Sequence, residues 1–385
     1  MRLVAALCFI APAIIPAAGA IMSVAPYGAG GPESDSGAGG PGFGQGLGGG
    51  AASIPQLGVV DPLEPYDSAR LYKDVAILAE RYPTVLTVSS IGESALGNDI
   101  PLLKLGRGPR NVLWVGALHS REVITTAYLM LVAEEYAYSY VSNSPYAGRP
   151  PETLRRLLDE FTVYIVPMAN PDGVDIATAA GPANVKVASA SAWKSNANGV
   201  NLNRNFPFDW AANANYVAQG NYRFYKGPAE GSEPETKALM ELCGSTAFEH
   251  MVSCHTQGQV LYWRDEKNGA VPGDVELANA IADICGFRLL PSTKAAAEGW
   301  AGGFENWFRS EYARPGICLE FCRQNVTDKQ RMQAFHAPDM IDWQKSRVLL
   351  LEVLDSLDPS PALDSLSPSP SPSPSPVSDS LVFYP

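Results

Sequence analysis

The chain has 385 residues, 35 of them Gly and 32 Pro, with a formal net charge of −12. That charge argues against nucleic acid and anionic membrane as partners. The absence of a Gly-X-Y period excludes collagen, and the lack of any apolar run of about 18 residues after residue 20 excludes a polytopic membrane protein.

In chain order, residues 1–20 start with Arg2, continue apolar and close on Ala18-Gly19-Ala20, which reads as a secretory signal peptide cut after Ala20. Residues 21–60 read as a disordered Gly-rich linker. The formal GxGxxG at Gly44 to Gly49 has no strand before it and no helix after it, so it carries no nucleotide-binding meaning. Residues 68–81 have helical spacing through Leu71, Val75, Leu78 and Ala79, ended by Pro83. Residues 112–118 form a continuous apolar run, a buried strand. Residues 125–140 predict a helix, and residues 161–166 a strand stopped by Pro167 and a turn at Asn170-Pro171-Asp172-Gly173. A helix follows at 233–243, strands at 250–254 and 260–263, a helix at 275–285, a strand at 317–322 and a last helix at 340–357. Residues 359–385 read as a disordered, extended Ser-Pro tail.

The Gly and Pro excess belongs to the two ends. Residues 61–358 have ordinary composition and enough length to bury a large core. Their alternation of strands and helices predicts an α/β fold, one domain with a mixed, mostly parallel twisted sheet and helices on both faces. In such sheets the chemistry sits where strands end.

Two of the four histidines, His119 and His255, fall just past the ends of expected strands; His250 and His336 are the others. His119 and Glu122 are three apart where a strand gives way to a helix. With His255 they make a His₂Glu set, which leaves the fourth tetrahedral position open as catalytic zinc requires. Spacing alone leaves the alternative of two unrelated strand-end histidines.

The flanking residues carry more. From Tyr66 to Leu354 the chain resembles the zinc carboxypeptidase family. The matches are Gly116 to Glu122, Asn170 to Gly173, Gly199-Val200-Asn201-Leu202-Asn203-Arg204-Asn205-Phe206, His255, Gly302-Gly303-Phe304-Glu305-Asn306-Trp307 and Arg314 to Glu320. The resemblance implies one zinc ion on His119, Glu122 and His255. It implies that Glu320 is the catalytic glutamate, taking a proton from water and passing it to the leaving amine. It implies that Asn203 and Arg204 grip the substrate's terminal carboxylate, and that Arg121 lines a subsite. Where the family has an arginine after a tryptophan, this chain has Trp193-Lys194, so Lys194 becomes the expected oxyanion donor. Where the family has a mobile tyrosine, the ungapped position is Glu298, with Trp300 the nearest aromatic.

The strings around His255 and Phe304 look more like the bacterial branch of γ-D-glutamyl-diaminopimelate peptidases. The expectation is therefore a secreted or envelope-located zinc peptidase, a monomer acting on a peptide or muropeptide. Glu305 stands where the family sets side-chain preference, and an acid there should favour a cationic side chain. The alternatives are a general metallocarboxypeptidase releasing basic C-terminal residues and a decayed peptidase that only binds envelope material.

Six cysteines occur without a CxxC. Setting Cys8 aside with the signal segment leaves an odd number, so at least one thiol is free. Strand alternation predicts Cys318 and Cys322 as buried free thiols on the face of Glu320, with Cys254 facing away from His255.

Overall fold

The computed structural model describes residues 57–62, 64–181, 190–213, 223–264, 269–290, 301–323 and 343–357. The expected signal segment, most of the linker, the Ser-Pro tail, Glu298 and Trp300 lie outside the described residues.

Helix α1 (Ser68–Arg81) starts where the Asp67 carboxylate accepts from the Arg70 N–H, and it buries Leu71, Val75 and Leu78. Strands β1 (Leu86–Glu93) and β2 (Asp99–Gly106) pair antiparallel. Strand β3 (Arg110–Val115) stops three residues short of the expected end, because the chain turns at Ala117, whose φ is 45°. Gly116 permits that turn: a Cβ there would lie 2.7 Å from the Pro167 carbonyl oxygen. Helix α2 (Ile124–Ser142) is buried on nearly every side. Helix α3 (Pro151–Glu160) leads into β4 (Phe161–Val166).

The segment expected as a turn at Asn170 opens a helix instead, α4 (Pro171–Thr178). Asn170 Oδ1 accepts from the Gly173 N–H at 3.0 Å, and Pro171 takes the first helical position, where no donor is needed. Helix α5 (Pro234–Ser245), β5 (Phe248–Thr256), β6 (Val260–Tyr262), α6 (Asp274–Cys285), β7 (Arg288–Leu290), α7 (Phe304–Tyr312) and β8 (Gly316–Phe321) follow. The expected last helix is broken into α8 (Trp343–Ser346) and α9 (Leu349–Leu357). At the break the hydroxyls of Tyr128 and Tyr136 donate to the carbonyls of Ser346 and Arg347, supplying the bonds a continuous helix would have made.

The sheet order is β1-β2-β4-β3-β5-β8-β6-β7. Its centre, β4-β3-β5-β8, is parallel, and the outer pairs β1/β2, β2/β4 and β6/β8 are antiparallel. From β3 the chain goes to β4 on one side and later to β5 on the other. The carboxyl ends of β3 and β5 therefore flank a topological switch point, where a crevice forms. Alternation sends Val112 and Trp114 to a core shared with α1, α2, α6 and α9, and Leu113 and Val115 to one shared with α5 and α7. Helices thus cover both faces, as the sequence predicts.

Packing begins inside the span read as linker. Val60 is buried, and the N–H groups of Gly58, Val59 and Val60 each donate to the Glu134 carboxylate at 2.9 Å.

Candidate active site

His119 and Glu122 stand on one tight turn. The Glu122 N–H donates to the His119 carbonyl at 3.0 Å. The Thr125 hydroxyl accepts from the Ala117 N–H and donates to the Glu122 carbonyl, each at 2.8 Å, tying the turn to the start of α2. His255 projects from the last turn of pleat on β5, and its register partner on β8 is Glu320.

The three side chains converge. His119 Nδ1 lies 3.1 Å from both Glu122 carboxylate oxygens, and His255 Nδ1 lies 2.9 Å from Glu122 Oε2. The two Nδ1 atoms are 3.0 Å apart. All three residues are buried. Burial raises the Glu122 carboxyl, but the two imidazoles overcome it and hold it well below the usual range. Burial pushes His119 well down, while Glu122 outweighs burial at His255 and raises it.

These residues fit zinc. A tetrahedral ion with bonds of about 2.0–2.1 Å places its ligand atoms roughly 3.3 Å apart, close to the separations found. The outward ring nitrogens are occupied, which leaves the inward ones to a metal. His119 Nε2 lies 3.2 Å from Asn201 Oδ1. The orientation of that amide is settled, since Asn201 Nδ2 donates to the Arg223 carbonyl and Oδ1 accepts from the Asn203 N–H. His119 therefore carries its proton on Nε2. His255 Nε2 sits between Ser253 Oγ at 2.8 Å and Asn203 Nδ2 at 3.3 Å.

Asn201 escapes a sequence reading because it is distant from His119 along the chain and meets it only in the fold; Ser253 shares a face of β5 with His255, but a lone serine there carries no signal. Outer partners of this kind set ligand orientation and tautomer. Asn201→Leu is expected to weaken zinc binding by roughly 10- to 100-fold, measured by competition with a chromophoric chelator.

Around this centre lie the other expected residues. Glu320 is half-buried, with Oε2 lacking a hydrogen-bond partner among the described residues. Burial, then the Glu122 charge, push its carboxyl up to about 7. Lys194 is half-buried, and burial with the nearby charges of Arg204 and Arg121 pushes its ammonium down to about 8. Arg121 is buried beside the metal-site turn. The Ser120 hydroxyl donates to the Trp193 carbonyl at 2.8 Å, which fastens the Lys194 loop to that turn. Asn170 does the same from the start of α4, its amide reaching the carbonyls of Leu118 and Ser195.

Asn203 Oδ1 accepts from the Phe304 N–H at 2.7 Å, and its Nδ2 is 3.3 Å from His255 Nε2. Gly302 lets the 301–303 loop lie on the Arg204 backbone: its φ is 81°, and a Cβ there would come within 2.2 Å of the Arg204 carbonyl oxygen. That contact brings Arg204 and the first turn of α7 together. Glu305 on that turn is 1% exposed, and neither carboxylate oxygen has a hydrogen-bond partner among the described residues.

The five described cysteines, 243, 254, 285, 318 and 322, are buried thiols outside any disulfide. Cys254 faces away from His255, in the α2 core, as alternation requires. Cys322 corrects the expectation. It lies past the end of β8 with φ 58°, which breaks the alternation and turns it into that same core. Only Cys318 remains beside Glu320, with Sγ 3.8 Å from Glu320 Oε1.

A family model described as zinc carboxypeptidase matches residues 71–300. The match includes His119, Glu122, Lys194, Asn203, Arg204 and His255; Glu305 and Glu320 lie beyond it. Among curated proteins, the chain is 30% identical over 274 residues to the gamma-D-glutamyl-L-diamino acid endopeptidase 1 of Lysinibacillus sphaericus, covering 68% of this chain and 67% of that one. It is 28% identical over 189 residues to mast cell carboxypeptidase A of Rattus norvegicus, covering 48% of this chain and 43% of that one. Among solved structures, carboxypeptidase A of Helicoverpa armigera superposes with a TM-score of 0.57 at 18% identity, over 77% of this chain and 73% of that one. Thrombin-activatable fibrinolysis inhibitor gives 0.59 at 18%, over 76% and 74%. At such identities the structural likenesses establish the fold.

Proposed function

The chain belongs to the zinc carboxypeptidase family and is a zinc-dependent peptidase, and from that premise we propose that it cleaves γ-D-glutamyl-diamino acid bonds in peptidoglycan-type peptides. His119 Nδ1, the Glu122 carboxylate and His255 Nδ1 would hold the ion. When bound, zinc supplies Lewis acidity, acidifying water and polarising a carbonyl oxygen.

The chain's own groups do the rest. Glu320 accepts the proton of the attacking water at its free Oε2 and returns it to the leaving amine nitrogen. Lys194 offers its ammonium to the carbonyl oxygen as negative charge builds there. Arg204, with the Asn203 amide beside it, binds the carboxylate of the leaving residue; a planar guanidinium suits that group.

Glu305 is the observation that carries the substrate reading. A buried carboxylate whose two oxygens have no hydrogen-bond partner among the described residues suits a cation, and the amino end of a diamino acid supplies one. A γ-linked glutamate also keeps a free α-carboxylate beside the scissile bond, and the charges of Arg121 and Lys194 suit it. Further support comes from the activity for which the Lysinibacillus relative is named. The proposed signal at residues 1–20 would deliver the enzyme to such a substrate. Among the described residues no helix is long and apolar enough to cross a membrane.

The test compares kcat/KM on γ-D-glutamyl peptides carrying lysine or diaminopimelate with α-linked peptides ending in Lys or Phe. The γ-linked diamino peptides should be preferred. Equal turnover of α-linked peptides ending in Lys would support the general carboxypeptidase reading, and preference for Phe would sink the Glu305 role. Glu305→Gln is expected to cost the cationic substrates roughly 10²-fold or more in kcat/KM, as for a buried ion pair broken on one side, and to spare Phe-ended peptides.

A further inference from the structure

Beside the His119, Glu122 and His255 set lies a second group of ligand atoms. One ligand-type atom each of His255, Glu305 and Cys318 lies within 4.8 Å of the others, every residue buried; with His255 Nδ1 on the first ion, Glu305 and Cys318 are the donors left for a second. The placement follows from the sheet. Cys318 precedes Glu320 on the same face of β8, and the register partner of Cys318 on β5 is Ser253, two residues before His255. Glu305 reaches the same spot from the first turn of α7.

We propose that Cys318 and Glu305, at the edge of the His255 ring, form a second metal site that takes a thiophilic divalent cation in addition to the first ion. The independent sign of a ligand is Glu305 itself. It is 1% exposed, and both carboxylate oxygens lack a hydrogen-bond partner among the described residues. Its neighbour Cys318 is a free thiol, not a cation.

The thiol decides the class of ion. Carboxylates and imidazoles accept many divalent metals, whereas a thiolate favours zinc, cadmium and softer ions over magnesium or calcium. Burial, then Glu305 and Glu320, keep the Cys318 thiol protonated while the site lacks an ion. A coordinating thiol is deprotonated outright. Binding therefore forms one sulfur–metal bond and releases one proton to solvent, with no change of oxidation state. The charges then cancel: two on the cation, one on the Cys318 thiolate and one on Glu305.

The site has a consequence for turnover. An ion on Glu305 occupies the carboxylate assigned above to the substrate's cationic side chain, so it should compete with Lys- or diaminopimelate-bearing peptides. That consequence rests on the proposed function; the binding itself does not.

The experiment adds cadmium to the zinc-loaded full chain. Ultraviolet absorption follows thiolate-to-cadmium charge transfer, and native mass spectrometry counts ions. The expected result is one added cadmium per chain with zinc retained, and a charge-transfer band that is absent in Cys318→Ser while its zinc remains bound. Glu305→Gln, which keeps the thiol, should weaken the cadmium affinity measured by the same band. No band in the parent protein, or a band unchanged by Cys318→Ser, would overturn the site. Release of zinc in step with cadmium uptake would also overturn it, showing exchange at one centre and not a second site. If the band behaves as expected but cadmium does not compete with cationic peptides, the metal site stands and the substrate role of Glu305 falls.

Discussion

Glu320→Gln is expected to leave zinc bound and to lower kcat by about 10²–10⁴-fold, the usual worth of a positioned general base. The substitution keeps the shape of the side chain and removes its ability to take a proton. It leaves His119, Glu122 and His255 intact, so zinc content by elemental analysis should not change. Unchanged turnover would mean that another group is the base. The parent enzyme should show the same dependence through pH. Glu320 accepts a proton only when ionised, so kcat/KM should fall as pH drops through its pKa. In the metal-free site burial and Glu122 push that pKa up to about 7. A bound cation favours the carboxylate, so the acid limb of the holoenzyme should lie below that value. A limb well above 7 would contradict the assignment.

His255→Ala is expected to abolish metal binding and with it hydrolysis. The ring supplies one of three ligand atoms, and its removal also strips Glu122 of a close partner at 2.9 Å. Loss of the metal's Lewis acidity should lower the rate by several kcal/mol, roughly 10³-fold or more. Thermal unfolding gives an independent readout. Zinc at 1,000 times its Kd stabilises the parent by about 4.1 kcal/mol through linkage. A chelator should therefore lower the Tm of the parent and leave that of His255→Ala unmoved. An equal shift in both would place the ion elsewhere.

The central strands were legible because they are largely buried and rich in apolar residues, with 112–118 an unbroken apolar run; β4 matches its expected bounds throughout. The outer strands were not. β1 is mostly exposed and carries Ser89 and Ser90, and β2 contains Pro101, so neither shows a clean pattern. Asn170-Pro171-Asp172-Gly173 has the composition of a turn, and only the Asn170 cap and the bracketing of the Leu118 and Ser195 carbonyls reveal why it begins a helix.

Within the site, the ligand set was visible from histidines at two strand ends and a glutamate one turn away. The groups that orient those ligands were not, because Asn201 meets His119 only through the fold, and Ser253, two residues before His255 on β5, carries no motif of its own. Cys322 was misplaced because alternation assumes a continuing strand, and its left-handed φ ends that rule. Glu305 was found by position, but its burial without a hydrogen-bond partner among the described residues, which supports the proposed role, belongs to the fold.

The proposed cleavage of the γ-D-glutamyl-diamino acid bond depends on a zinc centre on His119, Glu122 and His255. Its most direct test is digestion of a defined muropeptide by the zinc-loaded enzyme, with product masses read out and a chelator control. The expected products are those of scission between D-glutamate and the diamino acid, lost with chelator and restored by zinc. An intact muropeptide, under conditions where ordinary peptides lose their C-terminal residue, would contradict it.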